Sequence, residues 1–386
     1  MDYRILQPPP RRRRIRWVAA AALLVGALAA GGAVVARHGD TASSNRSSAG
    51  TATTGAARPL SVVATVPASG ATGVPSDQVV TVRLSAPVAS ASGLPTFDPP
   101  VPGVWVRSGP TSLTFRATAP FIPTTTETLT IPAGPQGVRG GAGSTLATAV
   151  TVTFGVAQAS TERLQQLLAE LNYLPVSFTP SGPVAPVESA TSQAGAFAWR
   201  WAGLPPDFTS LWTEGTENVI TKAALMSFED AHGLQVDGIA GRQVWTALLG
   251  DASAGKVDTA PYTDVLVSKQ VPQTLTLYEN GAPVLANVAV NTGAPGADTA
   301  DGTYPVFEHV RSSRMQGTNP DGTTYDDPNV PWASYFHGGD ALHGFVRASY
   351  GTPQSNGCVE MPVDVAAQVW PLTPIGTPVT VIGPPS

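Results

Sequence analysis

Proline or glycine stands at about one position in five, 37 Pro and 39 Gly, and this punctuation limits the chain more than any other feature. Pro lacks a backbone donor and breaks helix and strand interiors, while Gly in an element interior costs conformational entropy. Elements must therefore be short and turns many, which excludes a purely helical protein. Hydrophobic residues still make up 42% of the sequence, too many for wholesale disorder. At 386 residues there is room for two or three domains with separate cores.

The net charge of −5 conceals an asymmetry: residues 1–58 hold nine Arg against Asp2 and Asp40, a charge of +7, which leaves −12 on the rest. A body this acidic repels nucleic acid, whose binding draws on Lys and Arg against phosphates; no nucleic-acid partner is expected. Cys358 is the only cysteine. No intrachain disulfide and no paired-cysteine metal site can form, so stability must come from hydrophobic burial.

Residues 1–16 form a basic segment with Arg4, Arg11 to Arg14 and Arg16, and residues 17–36 follow without a single charge. Twenty residues of helix rise about 30 Å, the thickness of a bilayer's hydrocarbon core. The positive flank places the N-terminus in the cytoplasm and everything after Arg37 outside. An uncleaved transmembrane anchor is the favoured reading; a signal peptide cut near the Ala/Gly-rich end is the other. Residues 37–58, rich in Ser, Thr, Ala and Gly, read as a flexible tether.

The remainder reads as multidomain and mainly β. Residues 59–157 hold short β-prone runs between Pro and Gly, at Ser61–Val66, Gln78–Leu84, Gly103–Arg107, Ser112–Ala117, Glu127–Ile131 and Ala149–Phe154, the pattern of an antiparallel sandwich. Residues 158–251 change character: Leu164, Leu167, Leu168 and Leu171 follow helical spacing behind a Ser160/Thr161 cap, with Glu162 and Arg163 expected outward. Further helices are expected from about Val219 to His232 and around Trp245, Leu248 and Leu249. Between them lies a Pro-rich insertion with Phe197, Trp199, Trp201, Phe208 and Trp212. These rings either pack at an interface, the favoured reading, or stack on sugars.

Residues 260–386 carry the chemistry. Strand-like runs at Val265–Val267, Thr274–Tyr278, Val284–Val290 and Pro378–Ile382, with Glu279-Asn280-Gly281 as a hairpin turn, frame His337, His343 and Cys358. A free thiol is mostly protonated at neutral pH, so a nucleophilic cysteine needs a base nearby. A histidine can take its proton and later protonate a leaving amine. Gly357 lets the backbone approach closely, and the amides of Gly357 and Cys358 are candidates for an oxyanion hole. The bland alternative is a small buried hydrophobe at Cys358. Asp340 and Glu360 show no metal-ligand spacing, and no metal or cofactor is expected.

Three resemblances sharpen this. Pro67, Gly70, Gly73 and Pro75 before Val79-Val80-Thr81-Val82 resemble the opening of bacterial Ig-like domains. Ala224, Phe228 and the run from Gly233 to Trp245 resemble the small three-helix peptidoglycan-binding domain. His343-Gly344 followed by Ser355-Asn356-Gly357-Cys358-Val359, with Pro331 to Gly339 before and Gly376-Thr377-Pro378-Val379 after, is similar to the signature of L,D-transpeptidase catalytic domains. That resemblance implies Cys358 as acylated nucleophile, His343 as base, Ser355, Gly357 and Asn356 as support, and Tyr335, His337 and Gly344 at the substrate. It implies an extracytoplasmic enzyme at the bacterial plasma membrane, with peptidoglycan stem peptides and cell-wall glycan as partners, which forms 3→3 cross-links through a thioester. The alternatives are an L,D-carboxypeptidase using the same Cys and His, and a non-catalytic wall-binding protein. Asn356 stands where the family has His, and Glu360 where Arg or Asn is common. An inward carboxylate at Glu360 would raise the thiol pKa.

Overall fold

The computed structural model describes residues 59–90, 92–183 and 189–383, all within one compact unit. The expected basic segment, membrane span at 17–36 and tether lie outside the described residues. Among those described, no helix is long and apolar enough to cross a membrane.

The N-terminal part holds β1 (Val62–Val66), β2 (Ala71–Val74), β3 (Val80–Leu84), β4 (Thr96–Asp98), β5 (Gly103–Gly109), β6 (Ser112–Ala117), β7 (Thr126–Ile131) and β8 (Val150–Val156). They form two four-stranded sheets, β1-β3-β6-β5 and β2-β8-β7-β4. Strand alternation builds the core: Leu113 and Phe115 point inward from β6, and Leu129, Ile131, Val152 and Phe154 come from the other sheet. Each such side chain contributes about 1.5–3 kcal/mol by leaving water. The sequence reading missed β2 and β4, which are only four and three residues long and lie among turn residues.

The middle part contains α1 (Thr161–Glu170), a two-stranded hairpin of β9 (Val176–Pro180) and β10 (Gly195–Trp199), a short α2 (Pro206–Thr209), α3 (Val219–Ala231) and α4 (Arg242–Ala254). Ser160 caps α1 by accepting from the Arg163 N–H, and Asn218 caps α3 by accepting from the Thr221 N–H, as orphan helix amides require. Leu167, Leu168, Leu171, Ile220, Ala224, Phe228, Trp245 and Leu248 form the shared core.

Arg163 departs from expectation. It is fully buried, not outward, because the Pro-rich insertion returns over its face of α1. Its Nε donates to the Ser189 carbonyl at 2.9 Å, and its guanidinium pairs with Glu170. The aromatic insertion packs on its own helical core: Phe208 is buried, and Phe197, Trp199, Trp201 and Trp212 are partly covered there. Two of these rings reach Tyr262 at the start of the C-terminal part: Trp201 stacks on it with centroids 5.9 Å apart, and Phe208 meets it tilted at 6.3 Å.

The C-terminal part comprises β11 (Thr263–Ser268), β12 (Thr274–Glu279), β13 (Ala282–Ala289), β14 (Gly302–Pro305), β15 (Glu308–Thr318), β16 (Thr324–His337), β17 (Asp340–Gly344), β18 (Val359–Met361), α5 (Val363–Val369) and β19 (Pro378–Ile382). One sheet has the order β13-β12-β11-β19-β14, the other β15-β16-β17-β18. Val265, Val267, Leu275, Leu277, Phe336, Leu342, Val359, Met361, Val379 and Val381 fill the core between them. Asn280 and Gly281 both have positive φ, the conformation of a two-residue hairpin turn. The long β15–β16 hairpin was not anticipated, since its polar strands lack a marked hydrophobic period.

The middle and C-terminal parts meet closely. Ser227 of α3 donates to the Ile375 carbonyl at 3.2 Å, and a methyl group on Gly376 would collide with Ser227 and the Ala223 carbonyl.

Candidate active site

Two parallel strands place the candidate pair. β17 and β18 run side by side with Leu342 opposite Val359 and His343 opposite Glu360. Side chains alternate along a strand, so Leu342 and Val359 enter the core while His343, Glu360 and Cys358 take the other face. There Cys358 and His343 line one cavity of about 190 Å³ with Asn356, Glu360, Met315, Asn319, Tyr325, Asp327, Val330, Phe345 and Arg347.

His343 is almost wholly buried, and its Nδ1 lies 3.1 Å from the Gly344 carbonyl. A carbonyl only accepts, so Nδ1 carries the proton and Nε2 the lone pair of the neutral ring. Burial lowers the imidazole pKa, which keeps the ring neutral and able to take a proton. Phe345 fixes it edge-on, with centroids 6.0 Å apart.

Cys358 is half-buried, yet its sulfur is desolvated enough to push the thiol up to about 12. The carboxylates of Asp340 and Glu360 add to that rise, and the Ala341 amide opposes it. At rest the thiol donates to the Gly339 carbonyl at 3.6 Å. No hydrogen bond joins it to His343. Burial thus favours the neutral forms of both groups, thiol and imidazole, over an ion pair.

Ser355 is buried and shapes the loop. Its hydroxyl donates to the Cys358 carbonyl at 2.5 Å and accepts from the Gly357 N–H at 3.3 Å. Of the two amides named for an oxyanion hole, that of Gly357 is thus already engaged. Gly357 has φ +109°, and a Cβ there would run into the Asp340 carboxylate, so no other residue fits. Its carbonyl accepts from the Thr299 hydroxyl at 2.7 Å. Asn356, exposed at the rim, donates through Nδ2 to Asn319 Oδ1 at 2.6 Å, which ties the nucleophile's loop to the tip of the β15–β16 hairpin.

The remaining residues singled out from sequence lie outside the cavity lining. Tyr335 bonds Ser313 through its hydroxyl at 2.7 Å; its pKa is raised chiefly by burial, with a further rise from the Cys358 charge. His337 is exposed, 3.5 Å from Asp340 and packed on Tyr304 at 4.3 Å between centroids. Gly344 is buried under α5 and supplies the carbonyl that orients His343. The inward carboxylate of Glu360 has a partner that sequence reading missed. Arg347 donates to both its oxygens, at 2.7 and 2.8 Å, while its guanidinium lies 4.7 Å over the Phe345 ring. Among the described residues, no cluster of His, Cys, Asp and Glu is placed to hold a metal ion.

Comparison with known proteins gives three family matches. Residues 262–381 match the L,D-transpeptidase catalytic domain (YkuD), residues 56–156 a bacterial Ig-like domain, and residues 211–248 a putative peptidoglycan binding domain. No significant match exists among the curated proteins. Among solved structures, an L,D-transpeptidase from Mycobacterium smegmatis is 15% identical over 84% of this chain and 100% of its own, with a TM-score of 0.28. L,D-transpeptidase 3 from Mycobacterium tuberculosis, in complex with a faropenem-derived adduct, is 13% identical over 83% of this chain and 97% of its own, with a TM-score of 0.29. The catalytic domain of the E. faecium L,D-transpeptidase is 25% identical over 32% of this chain and 100% of its own, with a TM-score of 0.29.

Proposed function

We propose that this chain, which carries an L,D-transpeptidase catalytic domain behind a bacterial Ig-like domain and a putative peptidoglycan-binding domain, is a cell-wall L,D-transpeptidase working through a Cys358 thioester. The observation that carries the reading is the joint placement of Cys358 and a neutral His343 on one cavity, with the ring's proton anchored on the Gly344 carbonyl. The donor is a tetrapeptide stem. As the sulfur attacks the carbonyl of the third residue, His343 removes the thiol proton and passes it to the departing D-alanine nitrogen. An amine of a neighbouring stem then captures the thioester and forms a 3→3 cross-link. The Cys358 amide is the oxyanion donor left open once Ser355 engages that of Gly357.

The helical part would hold the wall, and the sandwich would space the catalytic part from the bilayer. The 17–36 segment would keep the protein at the extracytoplasmic face of the membrane. A second reading, a wall-binding protein without turnover, draws support from the resting thiol: its pKa is pushed up to about 12 and it is bonded to Gly339 instead of His343. Incubation with muropeptides followed by mass spectrometry separates the two. Released D-alanine and cross-linked dimers are expected from the native chain and neither from Cys358→Ala; equal product from both would refute the mechanism. A carbapenem adduct on Cys358 is expected only of the enzyme, and hydrolysed stems without dimers would point to carboxypeptidase action.

A further inference from the structure

Two carboxylates line the cavity beside Cys358, and they differ in their surroundings. Glu360 is bound at both oxygens by Arg347. Asp327, paired through its backbone with Met315 in the β15–β16 ladder, is half-buried, and its carboxylate makes no hydrogen bond or ion pair with any described residue. Its neighbour Asp326 is exposed and pairs with Arg314, as strand alternation requires of successive residues. Asp327 lines the same cavity as His343 and Arg347, and its charge favours the protonated form of both, as a smaller influence than burial at the first and Glu360 at the second. His343 is held neutral by burial. The cavity lining thus carries two acidic side chains, Asp327 and Glu360, against the single guanidinium of Arg347, one acidic group in excess beside Cys358. Met315, Val330 and Tyr325 supply apolar surface next to it.

We propose that Asp327 is the acceptor-specificity residue, binding the side-chain ammonium of the diamino residue on the acceptor stem and guiding that nitrogen to the Cys358 thioester. This rests on the transpeptidase reading above. The proton balance closes with groups already present. The bound ammonium loses one proton to solvent, and the neutral amine attacks the thioester carbonyl. As the C–N bond forms, His343 takes a second proton from nitrogen and hands it to sulfur while the C–S bond breaks. The products are an amide and the free thiol. Water needs no such anchor, so the carboxylate biases the thioester toward amine capture over hydrolysis.

The test uses the full-length chain and two probes with the same four-carbon side chain, with and without a terminal ammonium, Nα-acetyl-lysine amide and Nα-acetyl-norleucine amide, titrated by calorimetry or NMR. The expected result is saturable binding of the lysine probe only, weakened about tenfold or more in Asp327→Asn, as loss of a charge-assisted hydrogen bond predicts, and retained in Asp327→Glu. Equal binding of the lysine probe to Asp327→Asn, or none to the native chain, overturns the proposal whether or not the protein turns over. With tetrapeptide donor and an amine acceptor, the ratio of transfer to hydrolysis should fall by a similar factor in Asp327→Asn; an unchanged ratio also overturns it. Absence of D-alanine release from the native chain would instead count against the transpeptidase reading, and the probe titration still decides the role of Asp327.

Discussion

Asp264, on β11, has one carboxylate oxygen buried and unbonded, and the hydroxyl of nearby Tyr262 is in the same condition. Burial pushes the Asp264 carboxyl up from 3.8 to about 7. A folded-state pKa raised this way contributes stability that is full below the unfolded value and is lost as pH rises through the folded one. The loss runs from about pH 4 to about pH 7 and amounts to about 4 kcal/mol for a shift of this size. Asp264→Asn should remove that decline. Its melting temperature relative to the native chain is expected to climb between pH 4 and pH 8, and a constant difference across that range would contradict the assignment. Some residues announce their chemistry in sequence and some do not. Cys358 stood out as the lone thiol, fifteen positions after His343 in a Gly-rich setting. Asp264, Asp327 and Arg347 did not, because their roles come from what the fold brings against them: an apolar seam for the first, and one cavity for the other two.

At the scale of elements, the β15–β16 hairpin supplies Met315, Tyr325, Asp327 and Val330 to the cavity, and its tip is fastened by the Asn319–Asn356 hydrogen bond. One such bond is worth about 0.5–1.5 kcal/mol net. Asn356→Ala, which removes that bond and leaves the Asn319–Thr323 bond inside the tip, should speed amide exchange at the hairpin tip by roughly two- to tenfold without loosening β11 or β12. Hydrogen exchange read by mass spectrometry checks this, and unchanged tip protection would mean that the bond does not restrain the hairpin. The turn, Asn319-Pro320-Asp321-Gly322, has a strong turn sequence that the sequence reading passed over. The strands beside it were not legible, because one polar face opens on the cavity and the other on solvent. By contrast, α1 announced its cap and its leucine spacing, and α3 its span and its Ala224–Phe228 spacing, though not its Asn218 cap. Only the outward placing of Arg163 failed, since the insertion that covers it follows no helical or strand period.

Across the whole molecule, Gly376 is the point where the C-terminal part presses on α3. A methyl group there has nowhere to go, and overpacking of this kind costs about 1–3 kcal/mol. Gly376→Ala should lower the calorimetric transition of the helical and C-terminal parts while leaving that of the sandwich in place; an unaltered trace would show that the seam adds nothing to stability. Three successive characters of sequence, short β runs, leucine periodicity, then β runs around the lone thiol, made the multidomain, mainly β organisation readable. How the parts abut was not readable, because Trp201 on Tyr262 and Ser227 on Ile375 are contacts between residues far apart in sequence. This seam makes the helical part and the sulfur pieces of a single jig. Under the proposed function, a glycan strand clamped by the former would meet the latter at one constant offset, and bonds laid along its regular disaccharide repeat would fall in phase with that repeat instead of at random.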